Sequence, residues 1–303
     1  MIIVHGSVNA DLLFKVAKLP RPGETVLCPS YVMAPGGKGA NQAAAAAKAG
    51  AEVAFAGHVG SDAYGPVVRG LLEEAGVGCA MLAVAKAPTA IAVIGVDEGG
   101  ENQIMVASGA NMETAAAQVP DALLGAGTTV LCQNEIRPAE TFAALTRAKL
   151  LRSRTILNMA PAAPVPPEAL GALDLLVVNE IEAETAAGVT GQPPEAVAQS
   201  LAVAHGLTCV VTLGGAGCIA VTAVAGWRVP VLPIRPVDTT GAGDAFVGVL
   251  AAWLDGGADL VESLRAASVA AACTCERVGA QTAQPRRETI LARMPELPPV
   301  TPL

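Results

Sequence analysis

The segment Asp238-Thr239-Thr240-Gly241-Ala242-Gly243-Asp244-Ala245-Phe246 sets glycines between two carboxylates and leads into an apolar run from Val247 to Leu254. Glycines at a helix start leave backbone N–H groups unpaired, and these, with the helix dipole, bind anions. Asp244 is out of place beside an anion, because a carboxylate repels a phosphate. It makes chemical sense as a base that takes the proton of a hydroxyl attacking that phosphate; otherwise it is an acidic residue favoured at a helix N-terminus. No Gly-Lys-Ser/Thr follows the glycines, so this is not a Walker A loop.

A second glycine-rich segment, Gly36-Gly37-Lys38-Gly39-Ala40-Asn41-Gln42-Ala43, also precedes an Ala-rich stretch. It reads either as a close helix–strand contact or as a ligand site in which Lys38 presents a charge from a tight backbone. Asn9 and Asp11 follow the first apolar run at positions i and i+2. In an extended chain both side chains face the same way, and an amide beside a carboxylate can hold adjacent hydroxyls of a polyol. Alone, the pair would favour a turn stabilised by Asx hydrogen bonds. Asn158 and Asn179 each end an apolar run, where ligands bind if those runs are parallel strands.

The elements that must carry these residues are legible as short apolar runs alternating with helical patterns. Strands are expected at Ile2–Val4, Val53–Ala56, Thr129–Cys132, Thr155–Leu157, Leu175–Val178 and Cys209–Leu213. Helices are expected at Ala43–Ala49, Val67–Ala75, Ala139–Leu151, Glu182–Ala187 and Ala196–Ala204. This rhythm predicts a mostly parallel sheet covered on both faces. Two stretches, Asp11–Met33 and Thr89–Ala107, read as strands without intervening helices, the second turning at Asp97–Glu101. They predict a small β-sheet lid inserted at about 11–33 and 79–107 of a single domain spanning 1–303.

Composition narrows the function further. The 303 residues carry 19 basic against 27 acidic side chains, a net charge of −8, which disfavours a nucleic-acid or membrane-surface binder. Hydrophobic residues at 52% exclude disorder, and eight aromatics are too few for a base-stacking platform. The seven cysteines are odd in number and lack a C-x-x-C, so a reducing cytoplasm fits better than a disulfide framework or a structural zinc site. The N-terminus has no signal-peptide pattern. The stretch from Gly206 to Trp227 is uncharged and long enough to span a bilayer, but its glycines and clustered β-branched residues favour two short strands around a turn. His5, His58 and His205 stand apart from any ligand spacing, and Glu73-Glu74 and Arg286-Arg287-Glu288 read as solvated faces. No G-x-G-x-x-G follows the first strand, which disfavours a dinucleotide-dependent dehydrogenase.

Taken together and in order, these motifs resemble the ribokinase-like (phosphofructokinase-B type) carbohydrate kinase family from about residue 2 to residue 290. The N-terminal signature is Gly6-Ser7-Val8-Asn9-Ala10-Asp11 with Gly36 to Asn41, and the C-terminal one is Asp238 to Asp244. Between them lie Gly109-Ala110-Asn111, Gln133-Asn134-Glu135, Asn158 to Ala162, Asn179 to Glu182 and Thr212-Leu213-Gly214. The resemblance implies a Rossmann-like α/β core with a β-lid, ATP as phosphoryl donor, magnesium, and potassium as a monovalent cation. It implies D-ribose, phosphorylated on its primary hydroxyl, as the acceptor. Fructose, deoxyribose or adenosine remain as alternative acceptors, and a non-catalytic sugar-binding regulator as a more distant one.

By the same resemblance Asp244 would be the base, and Gly241, Ala242 and Gly243 the anion hole. Asn9, Asp11, Gly37, Lys38, Asn41 and Glu135 would hold the sugar. Asn179, with Thr212, Gly214 and Gly217, would serve the nucleotide, and Glu182 magnesium. Asp238, Thr240, Thr274, Arg277 and Gly279 would fall near the monovalent-cation loops. The lid would pair with that of a second copy in a homodimer. One departure stands out: no aromatic residue marks an adenine pocket.

Overall fold

The computed structural model describes residues 1–303. Its strands are β1 (Ile2–His5), β2 (Asn9–Lys15), β3 (Tyr31–Gly36), β4 (Val53–Gly60), β5 (Gly78–Ala85), β6 (Ala90–Val96), β7 (Asn102–Ala107), β8 (Thr129–Gln133), β9 (Arg154–Asn158), β10 (Leu175–Asn179), β11 (Thr208–Thr212), β12 (Cys218–Val221), β13 (Gly226–Val229) and β14 (Thr301–Pro302). Its helices are α1 (Lys38–Lys48), α2 (Tyr64–Glu74), α3 (Pro138–Leu150), α4 (Pro167–Leu170), α5 (Glu180–Ala187), α6 (Pro194–His205), α7 (Ala242–Asp255), α8 (Leu260–Cys275) and α9 (Arg287–Arg293).

Ten strands form one sheet in the order β14-β13-β12-β11-β10-β9-β8-β1-β4-β5. From β11 to β5 every pairing is parallel; β12, β13 and β14 extend the sheet antiparallel. The period of two explains why these strands read as continuous apolar runs. Ile2 and Val4 of β1 face one core, with α1, α7 and α8, while Ile3 faces the other, with α3 and α6. The uncharged stretch from Gly206 to Trp227 supplies the antiparallel pair β11–β12, and no helix is long and apolar enough to cross a membrane.

A separate four-stranded sheet, β3-β2-β6-β7, stands beside the large one. The Asp97 carboxylate accepts from the N–H groups of Gly99 and Glu101 and so closes the β6–β7 turn. The expected lid segment at about 79–107 divides. Residues 79–85 lie in β5, whose Cys79, Leu82 and Ala85 are buried and which pairs with β4 in the large sheet across a register shift; only β6 and β7 belong to the smaller one. The apolar run alone could not separate an edge strand of the core from a lid strand.

Helix α1 begins at Lys38, five residues before the expected Ala43. Asn41 and Gln42 are therefore helical and buried, with α7 packed across them. Gly248 makes the crossing possible, because a Cβ there would lie 2.4 Å from the Gln42 carbonyl oxygen and 2.7 Å from the Ala45 Cβ. Helix propensity alone would have Gly248→Ala stabilise α7 by about 1 kcal/mol. The backbone contact reverses that sign: the substitution is expected to cost about 1–3 kcal/mol through overpacking, read as a lower melting temperature. A higher melting temperature would show that the helices can separate without loss.

Candidate active site

The loop after β1, the C-terminal ends of β8 to β11 and the starts of α1 and α7 converge at one edge of the large sheet, under the lid. β1 lies between β8 and β4, so the chain's connections diverge on its two sides. A crevice at the carboxyl ends of strands flanking such a point is the expected ligand position in an open α/β sheet.

Asp244 sits at the third position of α7 and is buried. Asn41 Nδ2 donates to its Oδ2 at 2.9 Å, and Gln42 Nε2 to its Oδ1 at 2.9 Å. Burial pushes the carboxyl above the ordinary range; the Lys38 charge and the two amides pull it back without cancelling the effect. Gln42 is held in turn, donating to Asn158 Oδ1 at 2.8 Å and accepting from Gln133 Nε2 at 2.7 Å. The sequence reading gave Gln42 no role. Its signal was an amide pair inside an alanine run, which a helix starting at Lys38 turns into a buried polar stripe.

At the start of α7, Gly241 adopts φ +74°, a left-handed conformation suited to glycine. The Ala242 N–H turns back to the Thr239 carbonyl at 3.2 Å, so it is not a free donor as the motif suggested. The N–H groups of Gly241 and Gly243 make no hydrogen bond within the chain and remain available to an anion.

Lys38 opens α1, and its ammonium feels the charges of three carboxylates, none of them in direct contact with it. Burial alone would lower its ammonium, but Asp244, Glu135 and Glu182 together raise it. Glu135 accepts from Ser7 Oγ at 2.6 Å and from the Lys38 N–H at 2.8 Å, which ties β1, β8 and α1 together. Gly37 has φ +86°, and a Cβ there would sit 2.9 Å from the Val8 Cα. The close-contact reading of the glycine-rich segment is realised at Gly37, and Lys38 lies beside Asp244 and Glu182 on the wall of the cavity described below.

Asn9 and Asp11 lie on β2. Asn9 Oδ1 accepts from Asn111 Nδ2 at 2.8 Å, and Asn111 Oδ1 accepts from the Val8 N–H, so Asn111 fixes the amide. Asp11 Oδ1 is buried with no partner. Its carboxyl lies over Gly36, where a Cβ would come within 2.0 Å. Burial, reinforced by the charges of Glu135 and Asp244, raises the Asp11 carboxyl to about 7. An unpaired buried acceptor of this kind awaits a donor.

Two cavities meet at the α7 start and share Thr212 and Gly243. The smaller, about 170 Å³, is lined by Lys38, Asn158, Asn179, Glu182, Gly241 and Asp244 among others. Asn179 caps α5: its Oδ1 accepts from the Glu182 N–H at 2.8 Å, and Glu182 accepts from the Asn179 N–H at 2.7 Å. Burial raises the Glu182 carboxyl despite this bond and the Lys38 charge. No group of three or more acidic, Cys or His side chains is placed to cage a metal. One buried carboxylate beside a phosphate-sized cavity nevertheless suits magnesium, which keeps waters and shares its coordination with substrate phosphates.

The larger cavity, about 670 Å³, is lined by Gly214, Gly217, Val231, Ile234, Phe246 and Ala272 among others. It is mostly aliphatic, and the proline-punctuated wall at 231–236 was missed in the sequence because it has no periodicity. Behind it, Asp238 accepts from the N–H groups of Thr240 at 2.9 Å and Gly279 at 2.8 Å. Burial opposes its ionisation, but these bonds win and hold it below the usual carboxylate range. The buried Thr274 hydroxyl donates to the Ala270 carbonyl within α8, and Arg277 also borders a separate cavity.

A profile described as pfkB family carbohydrate kinase matches residues 1–287. The chain is 37% identical over 295 residues to a ribokinase of Bacillus subtilis, covering 95% of this chain and 97% of that one. It is 33% identical over 296 residues to a ribokinase of Haemophilus influenzae, covering 96% and 97%. Among solved structures, the Arabidopsis thaliana ribokinase complexed with ribose and ATP superposes with a TM-score of 0.87 at 31% identity, covering 97% of this chain and 98% of that one.

The raised Asp11 carboxyl has a consequence for stability. The fold binds this proton more tightly than the unfolded chain, so stability drains as pH rises above 3.8 and the full cost is reached above about 7. Asp11→Asn, which removes the charge and keeps the shape, is expected to raise the melting temperature more at pH 8 than at pH 5, at roughly 2–4 °C per kcal/mol. An equal effect at both values would show that Asp11 ionises normally.

Proposed function

The chain belongs to the pfkB family of carbohydrate kinases, and from that premise we propose that it transfers the γ-phosphoryl group of ATP to the primary hydroxyl of D-ribose, giving ribose 5-phosphate and ADP. The observation that carries this reading is the buried Asp244 carboxylate at the junction of two cavities, beside the free N–H groups that open α7. The ribose- and ATP-bound relative, similar over nearly its whole length, supports the choice of sugar and donor.

The sugar sits under the lid, with Asn9 and Asp11 accepting from or donating to its adjacent hydroxyls. Lys38, Asn41 and Glu135 close the same side. Asp244 takes the proton of the primary hydroxyl as its oxygen attacks the γ-phosphorus, and the bond to the β-phosphate oxygen breaks as ADP leaves. The raised carboxyl of Asp244 suits this role, since a base works best when its pKa approaches the working pH. The N–H groups of Gly241 and Gly243 receive the charge on the transferring phosphate, aided by Lys38. Thr212, Gly214 and Gly217 border the nucleotide, whose base rests against the aliphatic wall at 231–236.

Magnesium, held with the ATP phosphates beside Asn179 and Glu182, would neutralise charge on the leaving diphosphate. Potassium would be held by backbone carbonyls of the loops that Asp238 ties together, from Asp238 to Thr240 and around Gly279, where it orders the anion-binding turn. The exposed apolar side chains of Tyr31, Val32, Ile104 and Met105 on the lid's outer strands support its pairing with a second copy, checked by sedimentation. The seven unpaired cysteines support a reducing, cytoplasmic setting.

The test is a coupled assay over ribose, 2-deoxyribose, fructose and adenosine. Ribose is expected to exceed 2-deoxyribose in kcat/KM by about 10-fold or more, because a missing hydroxyl leaves a buried acceptor unpaired. Asp244→Asn is expected to lower kcat by roughly 10²- to 10⁴-fold. Preference for fructose or adenosine would overturn ribose as the acceptor, and normal turnover by the variant would overturn the base.

Replacing a large organic cation by potassium at constant ionic strength is expected to raise the rate. An unchanged rate would remove the cation from the mechanism.

A further inference from the structure

A third cavity, about 480 Å³, lies away from the site just described, between the end of α1, the end of α8, the 277–286 loop and α9. Lys48, Arg277, Arg286 and Arg293 line it, and Glu276 is the only acidic residue on its wall. In a chain of net charge −8 this is a concentrated positive surface. Glu276 is taken up by Arg293, which also pairs with Glu296. Arg277, Arg286 and Lys48 have no carboxylate within 4 Å.

The neighbouring Arg287 shows what a structural arginine looks like here. Its guanidinium stacks 4.4 Å over the Trp253 ring and donates to the Ala49 carbonyl. Arg286 does neither: it is exposed, as its sequence context suggested, and its guanidinium is left without a partner on the wall of the cavity. Burial, reinforced by the Arg286 charge, lowers the Lys48 ammonium, an electrostatic cost that a bound anion would relieve.

Two further features describe the ligand. The cavity volume falls in the range of small-molecule sites and exceeds what a free phosphate fills. Gln284, on its wall, is 5% exposed and its Oε1 has no partner within the chain, so a ligand hydroxyl that reached it would satisfy a buried acceptor.

The same wall reaches the reaction centre. Lys48 donates to the Gln281 carbonyl. Gln281 Nε2 donates to Asn41 Oδ1 at 3.0 Å and Gln284 Nε2 to the Asn41 carbonyl at 2.9 Å. Asn41 is the residue whose Nδ2 grips Asp244. An anion that draws Lys48 away from Gln281 therefore loosens the clamp on the base.

We propose that this cavity is an effector site for a phosphomonoester with a hydroxylated body, and that its occupancy slows phosphoryl transfer through Gln281, Gln284 and Asn41. The regulatory half rests on the kinase reading above; the binding half does not.

The probe is ribose 5-phosphate, with inorganic phosphate and sodium chloride as arms of matched ionic strength. With ribose and ATP both saturating, product binding at the active site is competed away. Ribose 5-phosphate is then expected to lower wild-type kcat by about 5-fold or more. Arg286→Glu should keep the basal rate and lose the inhibition, whereas Arg286→Lys should retain it. No fall in the wild type, or an equal fall in Arg286→Glu, overturns the site. An equal effect of inorganic phosphate overturns the hydroxylated body. If ribose is not turned over at all, the kinase reading fails, and calorimetric titration with ribose 5-phosphate decides the cavity. Binding to the wild type that is lost in Arg286→Glu supports it; identical isotherms overturn it.

Discussion

A carboxylate held without a cation in direct contact, inside the fold, is the constraint around which this structure is arranged. Asp244 receives two neutral amide donors from α1, and its charge is balanced only at a distance by Lys38. Unpaired buried charge is costly, so the surrounding chain must fix the amides rather than solvate the carboxylate. Asn41 is gripped by Gln281 and Gln284, and Gln42 by Asn158 and Gln133. The network draws on α1, β8, β9 and the loop before α9. Because the amides are donors of fixed direction, they hold the carboxylate in one orientation while leaving it basic. A lysine or arginine in their place would hold it equally well and suppress its basicity.

That requirement explains the small residues nearby. Amide side chains on α1 reach an acid on α7 only if the two helices cross at backbone contact, which Gly248 and the alanines of α1 permit. The alanine-rich composition, which looks bland, is what brings two functional helices together. Gly36 acts similarly by leaving the space that the Asp11 carboxyl occupies. Each of these positions trades side-chain packing for a closer approach of groups that do chemistry.

Much of the frame was legible because buried parallel strands leave an unmistakable pattern of continuous apolar runs between helices. The strands from β8 to β11 fall within about two residues of their expected bounds. Reading failed where a tertiary contact overrode local preference. Gly39 and Asn41 are poor helix formers, so α1 was expected to start late; burial against α7 and the β1–β2 loop makes them helical. The strand at 78–85 was assigned to the lid because edge and lid strands share one composition. The wall at 231–236 carries no period at all, since a proline-punctuated segment shaped by its neighbours has no pattern of its own. Of the candidate site, Asp244, Lys38, Asn9 and Asp11 stood out by residue type, whereas Gln42 and Asn111 lay in the motifs without a role and Gln281 lay outside them. Orientation depends on contacts across more than 90 residues of chain in each case, and no local spacing encodes it.

The division between reacting and orienting groups also decides where control can enter. A ligand that changed Asp244 directly would have to occupy the active site and compete with substrate. The orienting shell, by contrast, extends outward through Gln281 and Gln284 to a surface that substrate never touches. There the last link is Lys48, a cation bonded to a backbone carbonyl and facing other cations. A carbonyl is a weak partner for an ammonium compared with an anion, so this link is the one an anionic solute can break most readily. The buried links, amide to amide and amide to carboxylate, resist exchange because nothing else can reach them. A chain of bonds strong at its buried end and replaceable at its exposed end couples the surface cavity to the Asp244 carboxylate reciprocally, but it is at the exposed end that a solute can enter.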